Sequence, residues 1–424
     1  IFFRSVSALI AVRLADRPIC KMMMRCTRVL CAGVYNFGPG PAVVFPEVMK
    51  RAQKEFTNFY GTGFGAIENT NLDATGPTHP DEPRGPVQDM MHVTEAKLRQ
   101  CLAVPDNYRI IFMSTGAVGQ FAAIPLNLAF DDYKAGVKPK ANVVPIGYWS
   151  QRVKQEASKY CEVHEITAPC GNTIPPSAEW CVDPDAKYVH ITLNETVEGL
   201  ELHDDPDWDA ARQPPLVADA TSTLLARPID IARYGAIYAS GGKNFPHGVA
   251  IVIVREDLLR REAHPLCPDV LKFGAHGAAM FPVGCAFNSQ PNTPPVFQVW
   301  MLGLVLDHIA ERGGLTAMEA QSKARAERMY AAIDGSDGFY VNEIDPKYRS
   351  RMNVPFRIAA APGGSEPYNR SLENEFLALA ESKGYQYLFG HPVRGGIRAC
   401  IYIGQTDEAI DAVISLMDSF RRAH

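Results

Sequence analysis

From Glu95 onward, short apolar runs alternate with longer segments patterned as helices, the rhythm of strands followed by helical crossovers. The runs are Arg109 to Met113, Asn142 to Pro145, Glu162 to Thr167, Lys187 to Thr192, Pro215 to Ala218, Ala236 to Ala239 and Val249 to Val254. Runs of this kind, alternating with helices, predict one large, mostly parallel sheet wrapped by helices, an α/β domain. No period of about 20 to 50 residues recurs, which excludes a solenoid or a propeller.

A loop rich in Pro and Asn, Asn288 to Pro295, closes this pattern. Beyond it, Val296 to Ala310 reads as a long, largely buried helix stopped by Gly313 and Gly314. A second helix is expected from Thr316 to Asp334, opened by a capping box in which Thr316 and Glu319 satisfy each other's free backbone N–H. A strand at Met352 to Ile358, a helix at Ser371 to Lys383, a strand at Ile397 to Ile403 and a last helix at Asp407 to Arg421 suit a smaller α+β domain. The expected division is a leader at 1–33, a large domain at 34–295 and a smaller one at 296–424.

Composition narrows the possible partners. The chain has 424 residues, 46% hydrophobic and 21% charged, as expected of a soluble globular protein. A net charge of -5 provides no broad cationic field for nucleic acid. No apolar stretch approaches the roughly 18 residues of a membrane span, so no membrane partner is expected. The ten cysteines lack C-x-x-C or metal-like Cys/His spacing, and read as reduced thiols with no metal site. Residues 1–33 differ from the rest, with six Lys/Arg against the single acid Asp16. Two readings stay open: an organelle transit peptide, implying a mitochondrion or plastid, or upstream sequence before a start at Met22, Met23 or Met24 in a cytoplasmic protein.

Candidate chemistry gathers where strands end. Ser240-Gly-Gly-Lys243 puts one lysine in a glycine-rich turn between two apolar strands. Burial there lowers the amine's pKa and makes it a nucleophile toward an aldehyde, whereas an isolated lysine on such a turn is ordinarily a surface residue. Asp219 closes the strand upstream, at the carboxyl edge where open α/β sheets bind ligands. It could hold a pyridinium nitrogen protonated, or simply cap the next turn. Ser114-Thr-Gly116-Ala-Val-Gly119 opens a helix after a strand, so its free N–H groups make an anion site or only a tight turn. Trp149 could stack on a flat ring or pack in the core, and Thr196 could bond a phenolic oxygen or act as a cap.

Taken in order, these segments resemble the phosphoserine aminotransferases, class V members of the fold type I pyridoxal-phosphate enzymes with the aspartate aminotransferase architecture. The likeness covers about residues 34 to 424 and is strongest at Gly119-Gln-Phe-Ala-Ala-Ile-Pro-Leu-Asn127, Gly147-Tyr-Trp149, Asn194-Glu-Thr196, Lys243-Asn244, Asn292-Thr-Pro-Pro295, Arg351-Met-Asn-Val-Pro-Phe356 and Gly395-Gly-Ile-Arg398. The resemblance implies that Lys243 carries pyridoxal 5'-phosphate as a Schiff base, that Asp219 pairs with the ring nitrogen, and that Trp149 and Thr196 meet the ring and its phenolic oxygen. It further implies phosphate contacts at Ala117, Val118 and Gly242, and from Asn292 and Thr293 of a second copy in a homodimer. Arg398, His391 and Arg84 would bind substrate, with glutamate and 3-phosphohydroxypyruvate as the pair.

The chain departs from that family at Val118 and Pro392, where arginine is usual, at Gly242, where glutamine is usual, and around Asn69 to Glu82, which reads as an insertion. Arg394 is the residue expected to replace the charge missing at Pro392. Alternative readings are a class V transaminase acting on alanine, serine or glyoxylate, and a non-catalytic relative that keeps the fold.

Overall fold

The structure, a computed structural model, describes residues 33–69, 85–168, 171–209, 213–277, 289, 291–361 and 366–424. The leader up to residue 32, Arg84 and most of the insertion before it lie outside the described residues.

The seven expected strands form one sheet: β1 (Tyr108–Met113), β2 (Lys140–Val143), β3 (Glu162–Glu165), β4 (Val189–Thr192), β5 (Leu216–Asp219), β6 (Ala236–Ser240) and β7 (Ala250–Arg255). Their spatial order is β1-β7-β6-β5-β4-β2-β3. Only β7 runs against its neighbours. The loop Gly241 to Val249 is too short for a parallel crossover, which takes about a dozen residues or more, so the chain can only turn back. Because β1, β2, β4, β5 and β6 all point one way, Met113, Val143, Thr192, Asp219 and Ser240 end at the same edge. That edge positions the site.

Both faces of the sheet are buried. Along β1, Ile110 and Phe112 enter one core while Ile111 and Met113 enter the other. Helices α1 (Ala117–Leu128) and α2 (Tyr148–Ala157) cover the second face through Phe121, Ile124 and Val153. Helix α3 (Val296–Glu311) covers the first, with Val299, Leu302 and Ile309 fully buried. Truncating any of these three to alanine should cost about 2–5 kcal/mol by leaving a cavity that close packing cannot refill.

A third core is built on an antiparallel sheet of β8 (Tyr340–Val341), β9 (Asn353–Ile358) and β10 (Ile397–Cys400). Helix α4 (Gly314–Asp334) joins the two packing systems: Leu315 and Met318 sit in the large core, whereas Ala326, Met329 and Ile333 sit in the small one. Phe37 crosses over to the small core from the N-terminal side.

The capping box at Thr316 does not form. The helix starts two residues earlier, after Gly313, whose φ of 99° lies in the left-handed region that glycine tolerates. Glu319 instead accepts a 2.8 Å hydrogen bond from Arg351.

Candidate active site

The lysine turn is shaped by backbone contacts that exclude side chains. Gly241 donates to Val249 O and Gly242 to Phe245 O, each at 2.7 Å, closing the loop between β6 and β7. A Cβ on Gly241 would fall 2.0 Å from Pro246 O, and Gly242 holds a φ of +105°. The N-terminal segment crosses over this turn: Ala42 N donates to Gly242 O at 2.9 Å, and a Cβ on Gly40 would meet that same oxygen at 2.8 Å. Glycines at 40, 241 and 242 are therefore what let Lys243 project into a cavity of about 410 Å³ at the carboxyl edge of the sheet.

Within the cavity Lys243 Nζ donates to Thr196 Oγ1 at 2.5 Å and lies 5.9 Å from the centre of the Trp149 ring. Burial disfavours its ammonium form and lowers the pKa to about 8, although the Asp219 carboxylate pulls the other way. Asp219 is 4% exposed and accepts from Thr221 N at 2.8 Å. Its own pKa is raised by burial, against the opposing influence of Thr221 and Lys243.

Two carboxylates without an assigned role set the position of Trp149. Glu195 accepts from the N–H groups of Trp149 and Ser150 at 2.9 and 2.8 Å, and Glu198 accepts from Tyr148 N at 3.1 Å. These acceptors satisfy N–H groups of the first turn of α2 that have no partner within the helix. A Cβ on Gly147 would lie 2.5 Å from Glu198 and 2.7 Å from Glu195, so the acids reach the helix only because that residue is glycine. Burial beside Glu198 raises the pKa of Glu195. The Asn194-Glu-Thr196 motif carried this signal in its middle residue.

The helix α1 opens at Ala117 with no side-chain cap, so the N–H groups of its first turn face the cavity for an anion. Val118 also lines the cavity and is 47% exposed. On the opposite side Arg398, on β10, donates to Thr196 O at 3.0 Å, and its buried Nε has no partner among the described residues. His391 lies 4.6 Å, centre to centre, from the Tyr148 ring. Burial, reinforced by Arg398, lowers its pKa.

Nine of the residues singled out from sequence thus share one cavity: Ala117, Val118, Trp149, Thr196, Asp219, Gly242, Lys243, His391 and Arg398. Asn292 and Thr293 do not line it; both are exposed on the loop before α3. Arg394 also stays outside it, lining an adjoining cleft that shares Val197, His391 and Arg398 with the first cavity. Its guanidinium is engaged by Glu198, with Nε and a terminal nitrogen 3.3 and 3.1 Å from Oε1.

Comparison with known proteins agrees with this geometry. The family model for class-V aminotransferases matches residues 34–413. The chain belongs to the class-V aminotransferases. This aminotransferase is similar to the phosphoserine aminotransferase of Bacillus circulans subsp. alkalophilus, with 34% identity, a TM-score of 0.80, and coverage of 92% of this chain and 99% of the other. The pyridoxal-phosphate-bound phosphoserine aminotransferase of Trichomonas vaginalis is 30% identical, with a TM-score of 0.78 and coverage of 91% and 100%. An alanine–glyoxylate aminotransferase from Nostoc sp. shares the fold at 16% identity and a TM-score of 0.66, over 92% of this chain and 96% of the other.

The aminotransferase cavity fits pyridoxal phosphate, the cofactor of this family. Asp219 is a buried acid whose charge a protonated ring nitrogen would balance. The uncapped first turn of α1 is suited to a phosphate, and Lys243 is the amine in reach of an aldehyde.

Proposed function

We propose that this aminotransferase moves the amino group of L-glutamate to 3-phosphohydroxypyruvate, giving O-phospho-L-serine and 2-oxoglutarate, with pyridoxal phosphate held by Lys243. One observation carries the reading above the others: Lys243, Asp219, Thr196 and Trp149 share a cavity with Arg398 and His391, so a cofactor cradle and an anion grip face the same space. The preference for a phosphorylated acceptor is supported by identities of 34% and 30% to phosphoserine aminotransferases, against 16% to the alanine–glyoxylate enzyme.

The bound cofactor supplies the aldehyde that receives the amino group and an electron-accepting ring that makes the substrate's α-proton labile. Asp219 keeps a negative charge against the ring nitrogen. Trp149, whose backbone N–H is held by Glu195, would cover the ring and exclude water from one side. Lys243 Nζ, its pKa lowered by burial to about 8, would move a proton between the substrate α-carbon and the carbon of the cofactor's aldehyde, in one direction for the amino donor and in the other for the keto-acid acceptor. Arg398 grips the α-carboxylate common to both substrates through its forked N–H groups, of which Nε has no partner among the described residues. His391 and Arg84 meet the distal anionic group. Asn292 and Thr293, exposed and away from the cavity of their own chain, complete the phosphate site of a second copy in a homodimer.

A second reading, an unphosphorylated acceptor such as pyruvate or glyoxylate, is favoured by the engagement of Arg394 with Glu198 beside the uncharged Pro392. A coupled assay with glutamate and each acceptor separates the two. A kcat/KM higher for 3-phosphohydroxypyruvate by about 100-fold, the worth of one or two charge-assisted hydrogen bonds, is expected. Equal or greater efficiency with pyruvate or glyoxylate overturns the phosphoserine assignment and leaves the transaminase assignment standing.

A further inference from the structure

Beneath Asp219, on the face of the sheet turned toward α1 and α2, lies a pair of buried polar side chains that none of the roles above uses. Tyr238 on β6 is the register partner of Asp219, and His190 on β4 is the register partner of Val217, two residues before it. Residues two apart on a strand share a face, so Val217, Asp219, Tyr238 and His190 all point to the same side of the sheet. Both Tyr238 and His190 are 1% exposed, and His190 Nε2 lies 2.8 Å from the Tyr238 hydroxyl. As register partners, Tyr238 and Asp219 stand side by side on this face, and the nearby hydroxyl opposes the effect of burial on the Asp219 carboxyl.

Proton accounting gives this chain a direction. Burial drives the His190 pKa down to about 3 and the Tyr238 pKa well above its ordinary value, so both groups are neutral and the phenol keeps its single proton. Among the described residues, His190 Nδ1 is buried without a partner. If Tyr238 donated to His190 Nε2, the imidazole proton would sit on Nδ1 as a buried donor with nothing to receive it. Placing the proton on Nε2 leaves Nδ1 as an unpaired acceptor and lets His190 donate to the Tyr238 oxygen, which frees the Tyr238 proton for Asp219. Each donor then points toward the carboxylate. An apolar side chain would fill the position of His190 without an unsatisfied nitrogen, so packing alone does not account for it.

We propose that His190 and Tyr238 are positioning residues, a buried chain of donors that holds the Asp219 carboxylate ionised and aimed so that the cofactor's ring nitrogen, rather than Asp219, keeps the proton. The inference rests on the placement of that nitrogen beside Asp219, and is independent of which acceptor the enzyme uses.

The test is carried out on the holoenzyme loaded with pyridoxal phosphate labelled with ¹⁵N in the ring, whose nitrogen resonance distinguishes protonated from unprotonated ring without any substrate. Tyr238→Phe removes one oxygen and should move the resonance toward the unprotonated position, with kcat lowered about tenfold and KM for glutamate unchanged, as expected for a lost hydrogen bond to a charged group. His190→Leu should do the same more weakly, and His190→Gln, whose amide can still donate to Tyr238, should restore the parent signal; a purely structural role would not separate these two variants. Tyr188→Phe, a buried phenol on the same face whose hydroxyl has no hydrogen-bond partner among the described residues, is the control and should leave the resonance in place. A resonance that moves in Asp219→Asn but not in Tyr238→Phe, or that moves equally in His190→Leu and His190→Gln, overturns the proposal. A resonance that moves in none of them shows that the ring nitrogen is not beside Asp219, and the cofactor placement falls with it.

Discussion

The two ends of the cavity are built from different materials. The cofactor end hangs on strand termini and on glycines that admit no side chain: Asp219 closes β5, Lys243 follows the turn after β6, and Gly40, Gly241 and Gly242 approach one another through backbone atoms. The substrate end is made of loops and long charged side chains, in which Arg394 is 58% exposed and His391 packs over Tyr148. Departures from the family pattern fall at both ends: Val118 and Gly242 line the cavity at the cofactor's expected phosphate, and Pro392 follows His391 at the substrate end, while Lys243, Asp219, Trp149 and Thr196 keep the pattern. Strand ends and backbone contacts fix where the reacting amine and acid stand, whereas a long cation can be relocated along a loop. The placement of Lys243 and Asp219 is therefore fixed more tightly than acceptor choice.

Substitutions at the cofactor end should have the largest effects. Lys243→Ala removes the amine that moves the α-proton and should lower kcat by about 1,000-fold or more, measured with the coupled assay. Asp219→Asn keeps the size of the side chain but removes the charge, with an expected loss on the order of 100-fold in kcat and a small change in KM. If either variant retained turnover within a few-fold of the parent, the contrast between a rigid cofactor end and a permissive substrate end would collapse.

At the boundary between the ends, Arg398→Lys preserves charge but loses the fork, and kcat/KM should fall about 10- to 100-fold for both substrates alike, because both carry an α-carboxylate. The pH response follows from the lowered pKa of Lys243. Only the neutral amine attacks an aldehyde, so capture of pyridoxal phosphate by the apo protein should slow about tenfold per pH unit below about 8 and level off above it. Stopped-flow absorbance at a series of pH values checks this; a rate that is flat from pH 6 to 8 would place the reacting amine in an ordinary surface setting or elsewhere. The smallest effect is expected at Arg394→Ala, a few-fold rise in KM for 3-phosphohydroxypyruvate and none for pyruvate, since the ion pair of this exposed arginine with the buried Glu198 must first be exchanged. Equal effects on both acceptors would show that Arg394 serves Glu198 rather than substrate.

Much of the architecture was legible in the apolar runs, because a sheet buried on both faces writes near-continuous hydrophobic strands into the sequence. All seven lie where the runs indicate, with ends moved by up to two residues, as for β2, which begins at Lys140 rather than Asn142. The division of the cores was less legible. Val296 to Ala310 reads as the start of a second domain, but its buried residues pack into the large core, and Phe37 packs into the small one, since long-range burial leaves no local mark. The capping box at Thr316 failed because the preceding glycines supply a left-handed start and Arg351 takes the carboxylate of Glu319.

The site shows the same split. Lys243 and Asp219 were readable from their place after apolar strands. Glu195 and Glu198 were not, because their role depends on a helix N-terminus brought beside them from residues 147–150. Pairing of Arg394 with Glu198 was equally invisible, as the two are 196 residues apart.

The most direct test of the cofactor site is reduction of the holoenzyme with borohydride, which makes the bond between lysine and cofactor permanent, followed by digestion and mass spectrometry. The cofactor mass is expected on the peptide that contains Lys243, and on no other. Recovery of that mass on a different lysine, or an unmodified Lys243 peptide from fully loaded protein, would contradict the account.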